Sequence, residues 1–301
     1  MVTVAPRLQK AAKDAAYVFV GNRIFVLDEM LRMKLKIDKV FAVRGSHLER
    51  QLGERGFPCV AVETKAQLLG ELAKVEFDVL VSNGCPFLLP VAGYRKPDAV
   101  LVNIHPSYLP DLRGKDPVPG ALLYRRDSGA TCHRIDAGID TGEIVAQVKI
   151  SYSDDLDVGI LYQLSFLAEK DVFGQAFARG FAPIGAQPAA IDLIYYSRSP
   201  GDQLIDFEKD DLDLIVRKVS AYGNRSQGVR FFAGGHEFKT FVARALRNRY
   251  LMEKAAGYRE NEIMFCYEDV LVVRKGDSVL KLERVVGPLD KLKPRSLVTQ
   301  A

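Results

Sequence analysis

The stretch Asn103-Ile104-His105-Pro106-Ser107-Tyr108-Leu109-Pro110-Asp111-Leu112-Arg113-Gly114 gathers groups that handle protons and anions. The apolar run Val100-Leu101-Val102 before it reads as a buried strand ending in Asn103 and His105. Period two puts those two side chains on one side of the strand. Ligand sites of open α/β sheets lie at the carboxyl ends of strands. Pro106 and Pro110 stiffen the loop that follows. A second stretch, Arg134-Ile135-Asp136-Ala137-Gly138-Ile139-Asp140-Thr141-Gly142-Glu143, reads as a tight loop before a strand. Asp140 is the candidate to meet His105 in space. A carboxylate beside an imidazole raises its basicity and fixes its orientation. Amide, imidazole and carboxylate together can move protons and hold a developing oxyanion. Each also has a plainer reading: His105 as a hydrogen-bonded core residue, Asn103 as a turn cap, Asp140 as an Asx-type cap. Spacing alone leaves both sets open.

Other chemistries lack their residues. Gly21-Asn22 follows the first strand without the GxGxxG pattern of a dinucleotide site. No GxSxG elbow, CxxC pair or HExxH array occurs, so no metal is expected. Cys85 follows the fourth strand and reads as a small lining residue in preference to a nucleophile. His133 falls inside a strand and reads as a packed or edge-strand histidine in preference to a ligand.

The elements that must position these residues follow from the apolar pattern. Strands are expected near 17–20, 40–43, 59–62, 77–81 and 100–103, with helices over 24–33 and 66–72 and a charged segment around Glu49 and Arg55. This alternation predicts a mostly parallel, Rossmann-like α/β sheet with helices on both faces. Thr131–Ile135 and Ile144–Ile150 read as later strands. Ile160, Leu164 and Leu167 share a helix face running toward Phe173. A first domain over 1–195 results. In the second, 196–301, acids at 202, 206, 208, 210, 211 and 213 face only Lys209. A helix over 212–219 follows Asp210 or Asp211 as N-cap. Strands near 229–232, 237–242, 263–265, 270–273 and 279–282 then suggest a small β-barrel or curled sheet. Gly234-Gly235, Glu268-Asp269 and Lys275-Gly276-Asp277 are the turn candidates.

The 301 residues suit two domains at about 150 each. A composition 48% hydrophobic and 27% charged is that of a globular protein, which excludes a disordered chain, a collagen or a small disulfide scaffold. With 42 basic and 38 acidic residues the net charge is +4, no argument for nucleic acid by itself. No apolar run suits a membrane span, and the first residues lack the apolar stretch of a secretory signal. Arg7, Lys10 and Lys13 read as solvating a lead-in. Four spaced cysteines, with the missing signal, lead us to expect a cytoplasmic protein.

Taken together, the two chemical stretches resemble the 10-formyltetrahydrofolate-dependent formyltransferases. The family signature NxHxSxLPxxxG is similar to Asn103, His105, Ser107, Leu109, Pro110 and Gly114, and its DxGxDTG to Asp136, Gly138, Asp140, Thr141 and Gly142. The resemblance covers residues 18 to 290, because the last part resembles the small OB-like barrel of some branches. It implies that Asn103, His105 and Asp140 are catalytic. It implies a pterin pocket along Ser82–Pro90, here Cys85, Pro86, Phe87, Leu88 and Leu89, closed by Asp136, Gly138 and Ile139. It implies 10-formyltetrahydrofolate as formyl donor, direct transfer to an unprotonated amine, and no metal. Ser107, Tyr108, Arg113 and Lys115 are the candidates to hold the acceptor, the last two on its phosphates. The chain departs from the family in having residues 1–15 ahead of the first strand.

Three acceptors compete. Cys132-His133-Arg134-Ile135-Asp136, Tyr195–Arg198, Gln203–Phe207 and Asn224–Gly228 resemble the branch acting on nucleotide-linked amino sugars. The basic stretch Lys239–Arg259 would suit methionyl-tRNA, although a solvated helix face is the preferred reading of it. Gly114-Lys115-Asp116-Pro117-Val118-Pro119 departs from the glycine, two alanines and proline of that branch. Another natural-product amine has no marker. A nucleotide-linked sugar is therefore the expected partner, nucleic acid is not, and homodimerisation is left open. Formylfolate hydrolysis and pure binding are disfavoured, the first for want of a regulatory domain and the second because the trio is intact.

Overall fold

The computed structural model describes residues 12–189 and 192–299, so Arg7 and Lys10 lie outside the described residues, while Lys13 is exposed. Two compact units form. One runs up to Pro117 and adds Asp127–Ser151 and Gln163–Tyr196. The other holds Val118–Arg126, Tyr152–Tyr162 and the chain from Ser197 onward.

The first unit is built on a seven-stranded sheet. Strands β1 (Ala16–Gly21), β2 (Lys36–Val43), β3 (Val60–Val62), β4 (Val79–Asn83) and β5 (Val100–His105) are parallel in the order β3-β2-β1-β4-β5. β6 (Ser128–Arg134) and β7 (Ile144–Ile150) extend it antiparallel. β4 is buried throughout and β1 all but Ala16, which is why both read as nearly continuous apolar runs. The chain reverses its strand order beside β1, so the loops after β1, β4 and β5 open at one carboxyl edge.

Alternation along the strands sorts two cores. Tyr17, Phe19, Val81, Val102 and Ile104 face one side, against Val26, Leu27 and Met30 of helix α1 (Phe25–Arg32). Val18, Val20, Leu80 and Leu101 face the other, against Leu68 and Leu72. Asn103 and His105 share the Leu101 side by period two. The charged segment around Glu49 is a helix, α2 (His47–Glu54): Ser46 caps it at the Glu49 N–H, 3.2 Å away, and Leu48 and Leu52 are its buried i,i+4 pair. Thr64 caps α3 (Lys65–Leu72) in the same way.

Helix α4 (Pro117–Tyr124) was not foreseen. Its prolines occupy the first turn, where a backbone N–H has no intrahelical partner, so they start the helix instead of breaking it. Helix α5 (Val158–Ala178) runs through Phe173 and one turn further.

In the second unit, α6 (Leu212–Tyr222) is capped by Asp211, whose carboxylate accepts from the Leu214 N–H at 2.7 Å. Asp210, the other candidate, is buried and pairs with Lys218 at 2.5 Å. β8 (Val229–Ala233), β9 (His236–Thr240) and the short β14 (Val298–Thr299) form a three-stranded sheet, β14-β8-β9. β10 (Val242–Leu246), β11 (Ile263–Tyr267), β12 (Val270–Lys275) and β13 (Ser278–Glu283) form a four-stranded one, β10-β13-β12-β11. The expected single strand over 237–242 is therefore corrected to two, in different sheets. The Thr240 hydroxyl bonds the Val242 and Glu283 carbonyls at 3.1 and 3.0 Å and turns the chain from one sheet to the other. Isolated bridges, Lys239 to Val286 and Glu262 to Leu297, join the two, and no single closed ladder forms among the described residues. The basic stretch 239–259 is strand through the end of β9 and β10 and helical over α7 (Arg249–Ala255). No helix among the described residues is long and apolar enough to cross a membrane.

Asp211→Ala should destabilise the protein by about 1 kcal/mol, the usual worth of an N-cap. Asp210→Ala should cost more, about 3 kcal/mol, because the largely covered Lys218 ammonium loses its carboxylate and keeps only the Leu204 carbonyl. Urea unfolding followed on α6 checks the order, and equal losses would contradict it.

Candidate active site

β5 delivers Asn103 and His105 to the carboxyl edge, and the antiparallel return along β6 sets their neighbours. The register places His133 opposite Asn103 and Thr131 opposite His105. The Thr131 hydroxyl donates to the Ser107 carbonyl at 2.7 Å and accepts from the Leu109 N–H at 3.1 Å. Gln147 on β7 donates to the Leu109 carbonyl at 2.7 Å. The loop after β5 is thus pinned by polar groups of β6 and β7 as well as stiffened by its prolines.

The loop between β6 and β7 closes on itself. The Asp136 carboxylate accepts from the Gly138 N–H at 3.1 Å and from the Thr141 hydroxyl at 2.7 Å. A side chain at Gly142 would come within 1.8 Å of the Arg134 carbonyl, so only glycine fits that close approach. The loop carries Asp140 with a left-handed backbone, φ +54°.

Asp140 meets four groups. Its Oδ1 lies 3.3 Å from Asn103 Nδ2, which donates, and 3.5 Å from His133 Nε2. Its Oδ2 accepts from the Gly114 N–H at 3.2 Å and lies 3.5 Å from His105 Nδ1. Asn103 Nδ2 is also 3.2 Å from His133 Nε2. Burial alone would raise the Asp140 carboxyl. The His133 and His105 rings and the Gly114 N–H outweigh it and bring the carboxyl down to about 2. Asp140 is therefore ionised at neutral pH.

His105 is almost fully buried, and burial pushes its imidazole below the ordinary value against the pull of Asp140 and the Leu112 carbonyl. Its Nε2 lies 3.0 Å from that carbonyl, which can only accept, so Nε2 carries the proton. The ring is oriented by Leu112. Asp140, too far for a good hydrogen bond, faces the basic Nδ1 instead. A proton arriving at Nδ1 meets a carboxylate ready to stabilise it. His133 is fixed similarly: its Nδ1 lies 2.8 Å from the Arg134 carbonyl, which leaves Nε2 as the acceptor toward Asn103. Sequence reading gave His133 a packing role. Its place in the site comes from the antiparallel register of β6 on β5, and only the HRID-like run hinted at it.

The expected trio, Asn103, His105 and Asp140, is thus brought together. The other candidates divide. Ser107 is fully buried and donates its hydroxyl to the Asp111 carbonyl at 2.9 Å. Tyr108 is partly exposed, with the Lys149 ammonium 5.8 Å from its ring centre. Arg113 turns inward and donates to Gln187 Oε1 at 2.6 Å, and Lys115 is exposed. Cys85, Phe87 and Leu89 pack on the Leu101 side of the sheet together with Ile135, so the loop after β4 and the approach to the Asp140 loop share one core. Pro86, Leu88, Gly138 and Ile139 are exposed. Burial pushes the Cys85 thiol up to about 11, which keeps it protonated and unlike a nucleophile. No group of three or more metal-ligating side chains occurs among the described residues.

A mostly parallel α/β domain thus brings an amide, an imidazole and an ionised carboxylate together at its carboxyl edge. Residues 58–176 match the family described as Formyl transferase, in keeping with the resemblance read from the two motifs. Among curated relatives, the chain is 28% identical over 197 residues to a methionyl-tRNA formyltransferase of Paramagnetospirillum magneticum, covering 63% of this chain and 64% of that protein. It is 32% identical over 200 residues to the methionyl-tRNA formyltransferase of Roseiflexus sp., covering 64% and 61%. The matched region thus spans less than two thirds of these relatives. Among solved structures, an N-formyltransferase from Helicobacter canadensis in complex with folinic acid and dTDP-3-aminofucose superposes with a TM-score of 0.66 at 18% identity, over 90% of this chain and 99% of that one.

The electrostatics fix a pH dependence. The unfolded chain protonates His105 near pH 6.5 and the folded protein only at lower pH, so between those values the unfolded state binds more protons and stability rises with pH. Wild type should therefore lose melting temperature as pH falls below about 6.5. His105→Gln should flatten this limb. Asp140 adds a separate loss between about pH 4 and 2. Parallel profiles for wild type and His105→Gln between pH 7.5 and 5 would contradict the assignment.

Proposed function

We propose that the protein transfers the formyl group of 10-formyltetrahydrofolate to a primary amine of a nucleotide-linked amino sugar. The observation that carries this reading is the meeting of Asn103, His105 and Asp140 at the carboxyl edge of the sheet, within the matched family segment. The folate fits the walls available. Leu88, Val91 and Ile139 leave apolar surface exposed on the two flanking loops, which suits a flat pterin ring, and Cys85, Phe87 and Leu89 back one of them. When bound, the folate supplies the formyl carbon.

The residues then act as follows. Asn103 keeps one amide N–H on His133 and turns the other from Asp140 toward negative charge developing on the transferred carbonyl oxygen. Neutral His105 accepts at Nδ1 a proton given up by the attacking amine, and ionised Asp140 stabilises the imidazolium across 3.5 Å. His133 holds the Asn103 amide in place. Burial keeps His105 neutral below pH 6.5, so activity persists further into acid than a solvated histidine would allow.

The sugar acceptor is favoured over tRNA by the basic stretch itself. Arg244 pairs with Glu283, Arg249 with Glu253 and Arg259 with Glu262, so much of its charge is already answered. A track for phosphates would leave such cations available. The names of the curated relatives keep methionyl-tRNA as the second reading. We divide the chain functionally into a catalytic part, 1–195, and an accessory part, 196–301. The bridges between its two small sheets support an OB-like form for the latter. Four unpaired cysteines support a cytoplasmic setting.

The test is competition. Nucleotide-linked 3-amino and 4-amino sugars are incubated beside charged initiator tRNA with 10-formyltetrahydrofolate. Formamide should appear on a sugar. Asn103→Ala, His105→Ala and Asp140→Ala should each lower kcat by about 10²-fold or more while remaining folded. Formylation of the tRNA alone would overturn the acceptor, and near-normal turnover in all three variants would move the chemistry elsewhere.

A further inference from the structure

The two loops that form the site are strained in a way their own sequences do not relieve. Leu112, Gly114 and Asp140 all have left-handed backbones, φ +56°, +108° and +54°. For residues other than glycine that conformation costs roughly 1–2 kcal/mol. Leu112 presents its carbonyl to His105 and Gly114 its N–H to Asp140, so these conformations are the ones that make the site. Something outside the loops must hold them.

We propose that Gln187 is a positioning residue that clamps the two loops against each other. It lies in the stretch after α5. Its backbone neighbourhood is fixed beside β7: the Ile184 N–H donates to the Ile144 carbonyl at 2.7 Å, and the Ile144 N–H donates to the Gly185 carbonyl at 2.9 Å. From that anchor the side-chain amide spans the site. Nε2 donates to the Asp140 carbonyl at 2.7 Å and to the Gly142 carbonyl at 2.9 Å. Oε1 accepts from Arg113 Nη2 at 2.6 Å. Two carbonyls need N–H donors and a guanidinium needs an oxygen, so only one orientation of the amide satisfies all three.

The clamp reaches both catalytic loops. On one side it holds the carbonyl of left-handed Asp140 and the glycine that follows. On the other it holds Arg113, which stands between Leu112 and Gly114. The same stretch of chain braces that loop twice more: the Tyr196 N–H donates to the Arg113 carbonyl at 2.8 Å, and the Ile194 N–H to Asp111 Oδ1 at 2.9 Å. Arg113 thus has an internal task, its bond to Gln187. Gln187 touches neither Asn103 nor the side chains of His105 and Asp140. Its effect passes through the Asp140 backbone and the Leu112 and Gly114 peptides.

The kinetic half of the test rests on the proposed formyl transfer; the spectroscopic half does not. Gln187→Leu removes all three hydrogen bonds. Gln187→Glu keeps the Arg113 partner but sets a carboxylate against two carbonyls, and it serves if Gln187→Leu does not fold. Each should lower kcat by about 10²-fold, the scale for misplaced catalytic groups, with KM for the folate within about threefold. Arg113→Leu added to Gln187→Leu should cost little more than Gln187→Leu alone. Independently, NMR titration of the His105 ring should shift between wild type and either variant, because the Asp140 carboxylate and Leu112 carbonyl move relative to it. Wild-type kcat with an unchanged His105 titration would overturn the clamp. An inactive wild type whose His105 titration still responds to Gln187 would overturn the formyl-transfer reading and leave the clamp standing.

Discussion

A mostly buried carboxylate that stays ionised must be surrounded by donors, and at Asp140 those donors come from separate pieces of the chain. The Asn103 amide comes from the end of β5 and the Gly114 N–H from the loop beyond it, while the two rings that can take up positive charge beside the carboxylate come from β5 and β6. Without these partners, burial would favour the protonated acid. The charge therefore exists only when β5, β6 and both loops are in register. The same register fixes the histidines, each of which gives its other ring nitrogen to a backbone carbonyl. The site is a single electrostatic unit, and the sheet is its frame.

The frame explains why the groups sit where they do. A parallel strand buried on both faces must end in a loop at the carboxyl edge, and β5 ends there with its last two polar residues on the Leu101 side. The antiparallel β6 then brings residues back along β5 from the opposite direction. This places Thr131 under the loop after β5 and His133 beside Asn103. One strand reversal thus serves both support and chemistry. The threonine fixes the loop, and the histidine two positions on holds the amide.

What was legible in the sequence follows from how local each signal is. The parallel strands announce themselves because double burial makes apolar runs. Asn103 and His105 are legible because period two along one strand is a local property. α2 was read only as charge, because its face toward the sheet is two leucines wide among exposed polar residues. α4 was hidden by prolines that act as starters and not as breakers. The strand over 237–242 was divided by a contact to Glu283, more than forty positions away. His133 was visible as a residue but not as a member of the site, since its partner lies across a ladder that no local pattern sets. Gln187 carried no signal at all. It follows a helix, among glycine, alanine and proline, and its meaning lies wholly in which carbonyls it reaches.

The inward turn of Arg113 changes what acceptor recognition must rest on. A guanidinium bonded to Gln187, with its Nε buried and unpartnered, cannot also swing out to hold a diphosphate without dismantling the loop that orients His105. Phosphate recognition and catalysis would then compete for one side chain. Lys115 is exposed, two positions further along, beyond the Gly114 peptide that Asp140 holds. The two cations of that loop, a pair in the sequence, thus differ in the structure: Arg113 is tied to Gln187, and Lys115 stands exposed.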